Sequence, residues 1–434
     1  MRIRRDYSYR LYGRRRPYSR IGLVLLTGIF VVAVLILVSL QFDELQTTAL
    51  SMVGAAPEPT AFASDLAMSG SLKFREGDLE GALRDFRQAV AQQPGNIAYQ
   101  YELGMTLNEL GQTNEAVEVA DQMITAAPVD VRGYAIKANA LMWSNPADAI
   151  IVALQGEEIN PDFAPIHSAM AVANTNIFRF AEALTRGQRA IDLDPMDPNT
   201  YRAYSNPLIY LGRTGEAIEA LETAVSLNPS LPNPYFELGA QYRRIDDHKA
   251  AVDIYWHIIE NLNLNTADQA KAYLRICQTL ATRDEAEFDQ AEPYCLEAID
   301  ILPTYGSAYK ELGRMQYNRR NYEGSIESFQ TCARFQTEGF GVPVTDPSFP
   351  GFVDIECWAL RGLAHYWMAQ CDDGWQVLNE ALQIADRQST QEQIVDQINT
   401  GLFNITQRCT DYSSIPTPTP ILPTQIPPTP IGSL

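Results

Sequence analysis

The chain is poor in the side chains that most often carry out catalysis. It has only four histidines in 434 residues, His167, His248, His257 and His365. None stands in an H-E-x-x-H zinc site, and the chain contains neither a G-x-S-x-G nucleophile elbow nor a glycine-rich phosphate loop. Cysteine is absent from the first 276 residues, and the six that follow show no C-x2-C or Cys/His spacing for zinc. The carboxylate pairs Asp246-Asp247 and Asp372-Asp373 fall at turns, where they suit helix capping better than paired acid–base work. No catalytic residue, metal or cofactor is expected, and the chain reads as a non-enzyme.

Positive charge is scarce outside one short stretch. The formal net charge is −20, yet residues 1–20 hold eight Arg against Asp6, a local +7 that leaves −27 for the remainder. Such an acidic body lacks the clustered Lys and Arg that a nucleic-acid surface needs, so nucleic acid is not an expected partner.

Long apolar runs are absent as well, with one exception. Ile21 to Leu40 reads IGLVLLTGIFVVAVLILVSL, twenty residues without a charge. As a helix it spans about 30 Å, the thickness of a bilayer's hydrocarbon core. The run is longer than the roughly 7–15 apolar residues of a signal peptide, and no small-x-small cleavage site follows it promptly. The sequence therefore predicts an uncleaved membrane anchor. The arginine-rich segment 1–20 should remain cytoplasmic, which places residues 41–434 outside the cytoplasm. Residues 41–62, with Pro57 and Pro59, read as a linker.

The rest of the chain is a repeat. Its cleanest copy, Pro232 to Asn265, reads PNPYFELGAQYRRIDDHKAAVDIYWHIIENLNLN. Tyr235, Leu238, Gly239 and Tyr242 recur at helical spacing, followed by Ala251, Tyr255 and Ile258. The pattern is two short amphipathic helices joined by a polar turn. Successive copies close at Pro94, Pro128, Pro161, Pro195 and Pro229, at intervals of 34, 33, 34 and 34 residues. This period and pattern resemble the tetratricopeptide repeat, with its W-x2-L-G-x2-Y, A-x3-F and P landmarks.

The resemblance implies an all-α superhelix of about nine helix–turn–helix repeats over residues 63–388, with a capping helix at 389–411. Pro207 falls inside a first helix and should kink it. Gln336 to Phe352 breaks the period and reads as an inserted loop. The Pro/Thr-rich tail 412–434 cannot build a core and should sample polyproline II. Gly239, Gly313, Ala217 and Ala251 are expected core positions, with the eighth residue of a repeat facing the alanine at the twentieth.

In the family, first helices line a concave groove through positions two, five, nine and twelve or thirteen. Carried onto this chain they are Tyr101, Met105 and Asn108; Asn139; Arg202, Asn206 and Tyr210; Phe236, Arg243 and Arg244; Gln278; and Lys310, Arg314 and Tyr317. The basic members could hold a peptide's carboxylates while the aromatics take its apolar side chains. The alternative is a solvated face whose basic residues pair with acids on the next repeat.

The repeat register also pairs the cysteines as Cys277–Cys295, Cys332–Cys357 and Cys371–Cys409, in keeping with an oxidising compartment. Buried free thiols are the alternative. The expected function is a membrane-anchored, extracytoplasmic scaffold binding protein or peptide partners, including those with acidic groups. Two alternatives remain: a cell-envelope spacer or tether acting through its Pro/Thr tail, and an assembly or carrier factor for secreted or membrane proteins. The sequence assigns no oligomeric state.

Overall fold

The computed structural model describes residues 61–281, 288–338, 354–387 and 392–409. The expected anchor at 21–40, the basic segment before it, most of the linker, most of the inserted loop and the tail lie outside the described residues. Among the described residues no helix is long and apolar enough to cross a membrane. Ala63 onward forms one unit.

Every described element is an α-helix, and the helices come in pairs. The pairs are α1 (Ala63–Arg75) with α2 (Leu79–Gln92), α3 (Ile97–Glu109) with α4 (Thr113–Ala126), and α5 (Val131–Leu141) with α6 (Pro146–Ile159). There follow α7 (Ala164–Asn176) with α8 (Phe180–Leu193), α9 (Pro198–Tyr210) with α10 (Thr214–Leu227), and α11 (Pro232–Arg244) with α12 (His248–Asn261). The last are α13 (Thr266–Leu280) with α14 (Phe288–Ile301), α15 (Gly306–Asn318) with α16 (Tyr322–Glu338), and α17 (Glu356–Trp367) with α18 (Cys371–Arg387). A single helix α19 (Glu392–Arg408) closes the series. The nine pairs and the final helix are the expected array. The helix containing Pro207 continues through it to Tyr210.

Local chemistry sets where each helix begins. Asp78, Asn96, Asp130, Asn145, Asp197, Asp247 and Asn265 each precede a helix and accept a hydrogen bond from a backbone N–H of its first turn. A second device joins one repeat to the next. The hydroxyls of Tyr134, Tyr235 and Tyr309 donate to the carbonyls of Pro128, Pro229 and Pro303 at 3.0, 3.2 and 3.2 Å. His167 occupies the same position and reaches Pro161 O at 2.8 Å, so it belongs to the frame. Each of these closing prolines thus has its carbonyl engaged by the first helix of the following repeat.

Packing within a pair depends on a missing side chain. A Cβ on Gly239 would lie 2.6 Å from the ring of Tyr255, and one on Gly313 would lie 2.9 Å from the ring of Phe329. The partner of the eighth position is therefore the aromatic at the twenty-fourth, one helical turn beyond the expected alanine. Ala217 and Ala251 are fully buried, as expected. In the seventh pair the same two positions carry Cys277 and Cys295, which the structure joins with a Cα–Cα separation of 5.4 Å. Cys332 with Cys357 and Cys371 with Cys409 are joined likewise, at Cα–Cα separations of 6.1 and 6.4 Å.

The core is a chain of local clusters, each shared by adjacent helices, as a solenoid requires. Some contacts break that nearest-neighbour rule. Gly77, in the turn of the first pair, has φ +80°, and a Cβ there would lie 2.4 Å from Ser230 O. The array curls back so that its first turn meets the start of the sixth pair.

Candidate functional site

The first helices form the inner wall, but that wall divides into two regions of opposite character. The first is a chamber of about 350 Å³ bounded by α3, α5, α7, α9 and α11. At its centre, the Arg202 guanidinium meets Glu109 at 3.2 Å and Glu237 at 2.8 Å. Asn233 Nδ2 donates to the same Glu109 carboxylate at 2.8 Å and to Glu109 O at 3.1 Å. These bonds tie α3 to α9 and α11, and so close the array on itself. Burial disfavours the charged form of Arg202, but the two carboxylates more than offset it and hold the pKa above the usual arginine value. Burial raises the Asp197 carboxyl at the head of α9. Met105, Asn108, Asn139, Met142, Trp143 and Asn206 also line the chamber.

The second region is a polar cleft of about 700 Å³ between α11, α13 and α15. Arg243, Arg244, Arg275 and Arg314 line it, against the carboxylates of Asp246 and Glu311. Arg275 donates to Gln278, Gln278 donates to Glu311, and Arg314 is bound to Glu311 at 3.1 Å. Arg244 donates to Ile209 O at 2.8 Å. The Arg243 guanidinium has no hydrogen bond or ion pair among the described residues, although its backbone carbonyl accepts from Asp246 N. The cleft therefore carries more positive than negative charge on an acidic protein, with one guanidinium uncommitted.

The structure brings together part of the expected groove and disperses the rest. Arg243, Arg244, Gln278 and Arg314 meet in the cleft, while Met105, Asn108, Asn139, Arg202 and Asn206 meet in the chamber. Arg202 is not a free cation, because two acids neutralise it. Lys310 pairs with Asp354 and Glu356; burial works against its ammonium, but these acids outweigh it and raise its pKa. Phe236 lines no groove. It is 5% exposed, under Lys271 Nζ at 4.1 Å and beside the Tyr255 ring. Tyr101 packs on Phe163, and Tyr210 stacks on Phe180 outside both regions. Tyr317 accepts from Trp367 Nε1 at 2.9 Å.

Sequence reasoning missed Arg275, Glu237 and Asn233. Counting from the start of each pair, Glu237 and Glu311 hold position six, two residues before Gly239 and Gly313, and Arg275 likewise stands two residues before Cys277. The inward face runs through positions two, five or six, nine and twelve or thirteen: Arg202 enters the chamber from position five and Glu237 from position six. In the sixth pair it is Glu237 that faces the chamber, and its neighbour Phe236 is buried. Among the described residues no group of His, Cys, Asp and Glu is placed to hold a metal ion.

Paired helices at this period define a class of repeat, and the family models agree. Residues 73–140 and 208–231 match tetratricopeptide repeat models, so these stretches carry that repeat. A thermophilic tetratricopeptide protein of Thermus thermophilus is similar at 20% identity and a TM-score of 0.36, covering 41% of this chain and 98% of its own. YrrB, described as having an unusual peptide-binding site, is similar at 19% identity and a TM-score of 0.32, covering 43% and 94%. A tetratricopeptide protein of Parabacteroides merdae shows 12% identity and a TM-score of 0.38, covering 58% and 97%. No functionally curated protein matches the chain.

Proposed function

We propose that this protein is a non-catalytic scaffold that binds an acidic segment of a protein or peptide partner in the arginine cleft. The observation that carries the proposal is the convergence of Arg243, Arg244, Arg275 and Arg314 from three successive repeats. A guanidinium presents a planar fork of donors matched to a carboxylate, and an uncommitted one, such as Arg243, gives up no existing bond on binding. The repeats themselves support a protein-binding role by analogy with the family.

The same reading places the array outside the cytoplasm, held by residues 21–40. Its support is the uncharged run, the arginines before it and three cysteine pairs within bonding distance. Protease protection on intact cells tests that placement, since an array cleaved only after lysis would refute it.

The cleft is tested by replacing Arg243 and Arg314 together with Glu and repeating a crosslinked pull-down from membranes. Recovery of the partner should fall at least tenfold while the circular dichroism spectrum is kept. Unchanged recovery would remove the cleft as the binding site.

A further inference from the structure

A connected aromatic surface stands in the last two pairs of the array, outside both the chamber and the cleft. Tyr317 lies in the last turn of α15, Tyr322 opens α16, and Tyr366 and Trp367 end α17. Trp367 stacks on Tyr322 with ring centres 6.1 Å apart and planes at 15°. Tyr317 meets Tyr322 edge-on at 5.4 Å, and Tyr366 meets Trp367 edge-on at 5.2 Å. Four rings from three helices thus form one ladder. Trp367 and the adjoining Met368 are 49% and 39% exposed, so the ladder faces solvent. It also has donors to spare. The Tyr322 and Tyr366 hydroxyls have no hydrogen bond among the described residues, and Tyr317 accepts from Trp367 Nε1 and keeps its own O–H to give.

The chain leaves the array beside this ladder. Cys409 is bonded to Cys371 in the turn that follows Trp367. Its neighbour Arg408 donates to Tyr366 O at 2.9 Å and holds its guanidinium over the Tyr366 ring at 5.2 Å. Beyond lies IPTPTPILPTQIPPTPIGSL, and residues 412–434 carry no charged side chain, so apolar contact and neutral hydrogen bonds are what can hold them. From Cys409 to Pro416 the chain can span at most about 25 Å, and the nearest ring of the ladder is already at Arg408. Polyproline II has three residues per turn, so Pro420 and Pro423, like Pro427 and Pro430, share a face in it. Such segments dock on aromatic-lined surfaces, and their carbonyls, with few N–H groups among them, call for O–H donors. The ladder supplies ring faces and hydroxyls together. A short tether keeps the effective concentration near the millimolar range, so weak contacts suffice to hold the segment.

We propose that the ladder of Tyr317, Tyr322, Tyr366 and Trp367 is the docking site of the chain's own Pro/Thr-rich segment, residues 416–430. Proline rings lie on Trp367 and Tyr322, and backbone carbonyls accept from the Tyr322 and Tyr366 hydroxyls. The site is independent of the arginine cleft, which selects acidic groups that this segment lacks. The ladder and any external receptor of the tail compete for the same prolines.

The test uses full-length protein with the photo-reactive residue benzoylphenylalanine in place of Met368. Irradiation at low protein concentration should join this position to residues 412–434 of the same chain, as read by mass spectrometry after proteolysis. Replacing Pro420, Pro423, Pro427 and Pro430 together by Ala should reduce that crosslink at least fivefold, at an unchanged unfolding temperature. Tyr322→Phe with Tyr366→Phe keeps the rings, removes two donors and should weaken it several-fold. Fluorescence anisotropy gives a second measure, with a labelled peptide of residues 412–434 added to full-length protein. The four-proline variant, whose own tail no longer occupies the ladder, should bind this peptide at least tenfold more tightly than the unaltered protein does. Trp367→Ala in the four-proline variant should remove that gain. Absence of a crosslink to the tail, crosslinks formed mainly between two chains, or equal peptide affinity with and without the four prolines would overturn the proposal.

Discussion

The chamber and the cleft are built from the same stripe of the same repeat, yet they differ in charge and in what holds them. In the chamber, Glu109 and Glu237 flank one arginine, and the bonds from Glu109 to Arg202 and Asn233 close the array over 93 and 124 residues of sequence. In the cleft, four arginines meet two acids, and α13 is pinned to α14 by the Cys277–Cys295 bond. The shared landmarks supply a frame that is nearly constant from pair to pair. A few residues on the inner face of each first helix decide what each segment of wall attracts.

The largest expected effect is at the centre of the chamber. Replacing Arg202 with Ala leaves Glu109 and Glu237 facing each other without their cation, and should lower stability by about 3–4 kcal/mol in urea denaturation. Arg314 in the cleft is half exposed, and Arg314→Ala should change stability by no more than about 0.5 kcal/mol. Equal losses at the two sites would break the distinction between a structural bridge and an open binding surface.

Removing the cysteine pair acts on the other side of the comparison. Cys277→Ala with Cys295→Ala should lower stability by about 3 kcal/mol. It should also weaken acidic-peptide binding in fluorescence anisotropy.

Gly77→Ala should cost about 2 kcal/mol, because the turn needs a positive φ and has no room for a Cβ against Ser230 O. Small-angle scattering should show an enlarged radius of gyration as the first pair moves off the sixth.

The smallest effect concerns pH. Burial raises the Asp197 pKa in the fold, so ionisation opposes folding: its contribution is favourable at acid pH and is lost as pH rises through the folded pKa. Asp197→Asn keeps the cap to Asn199 N and removes the charge. Thermal unfolding of this variant should occur at a higher temperature at pH 7 and show a flatter pH profile between pH 4 and 7.

The frame was legible in the sequence because its signals are local and repeated. Gly239, Ala251, Tyr255 and Pro229 recur in phase, and the same register brought Cys277 to Cys295 across a pair of helices. Arg243, Arg244 and Arg314 were placed on the inner face by that register too. The rest of the candidate site was not legible, for two reasons. A residue one step around a helix turns by about 100°, so in the sixth pair Phe236 is buried while its neighbour Glu237 faces the chamber. The partner of Arg202 across the curl, Glu109, also lies 93 residues away in sequence, a distance at which no period carries information.

By itself the sequence determined the repeat, its nine helix pairs, the small residues between paired helices and the cysteine pairs. These depend on spacing within about one repeat, which the 34-residue period records directly. Only the tertiary structure decided that the array closes on itself, that Arg202 is spent on two acids, and that the expected groove is a chamber and a cleft. Small rotations between pairs accumulate along a solenoid, so which distant side chains finally meet is a property of the whole curl.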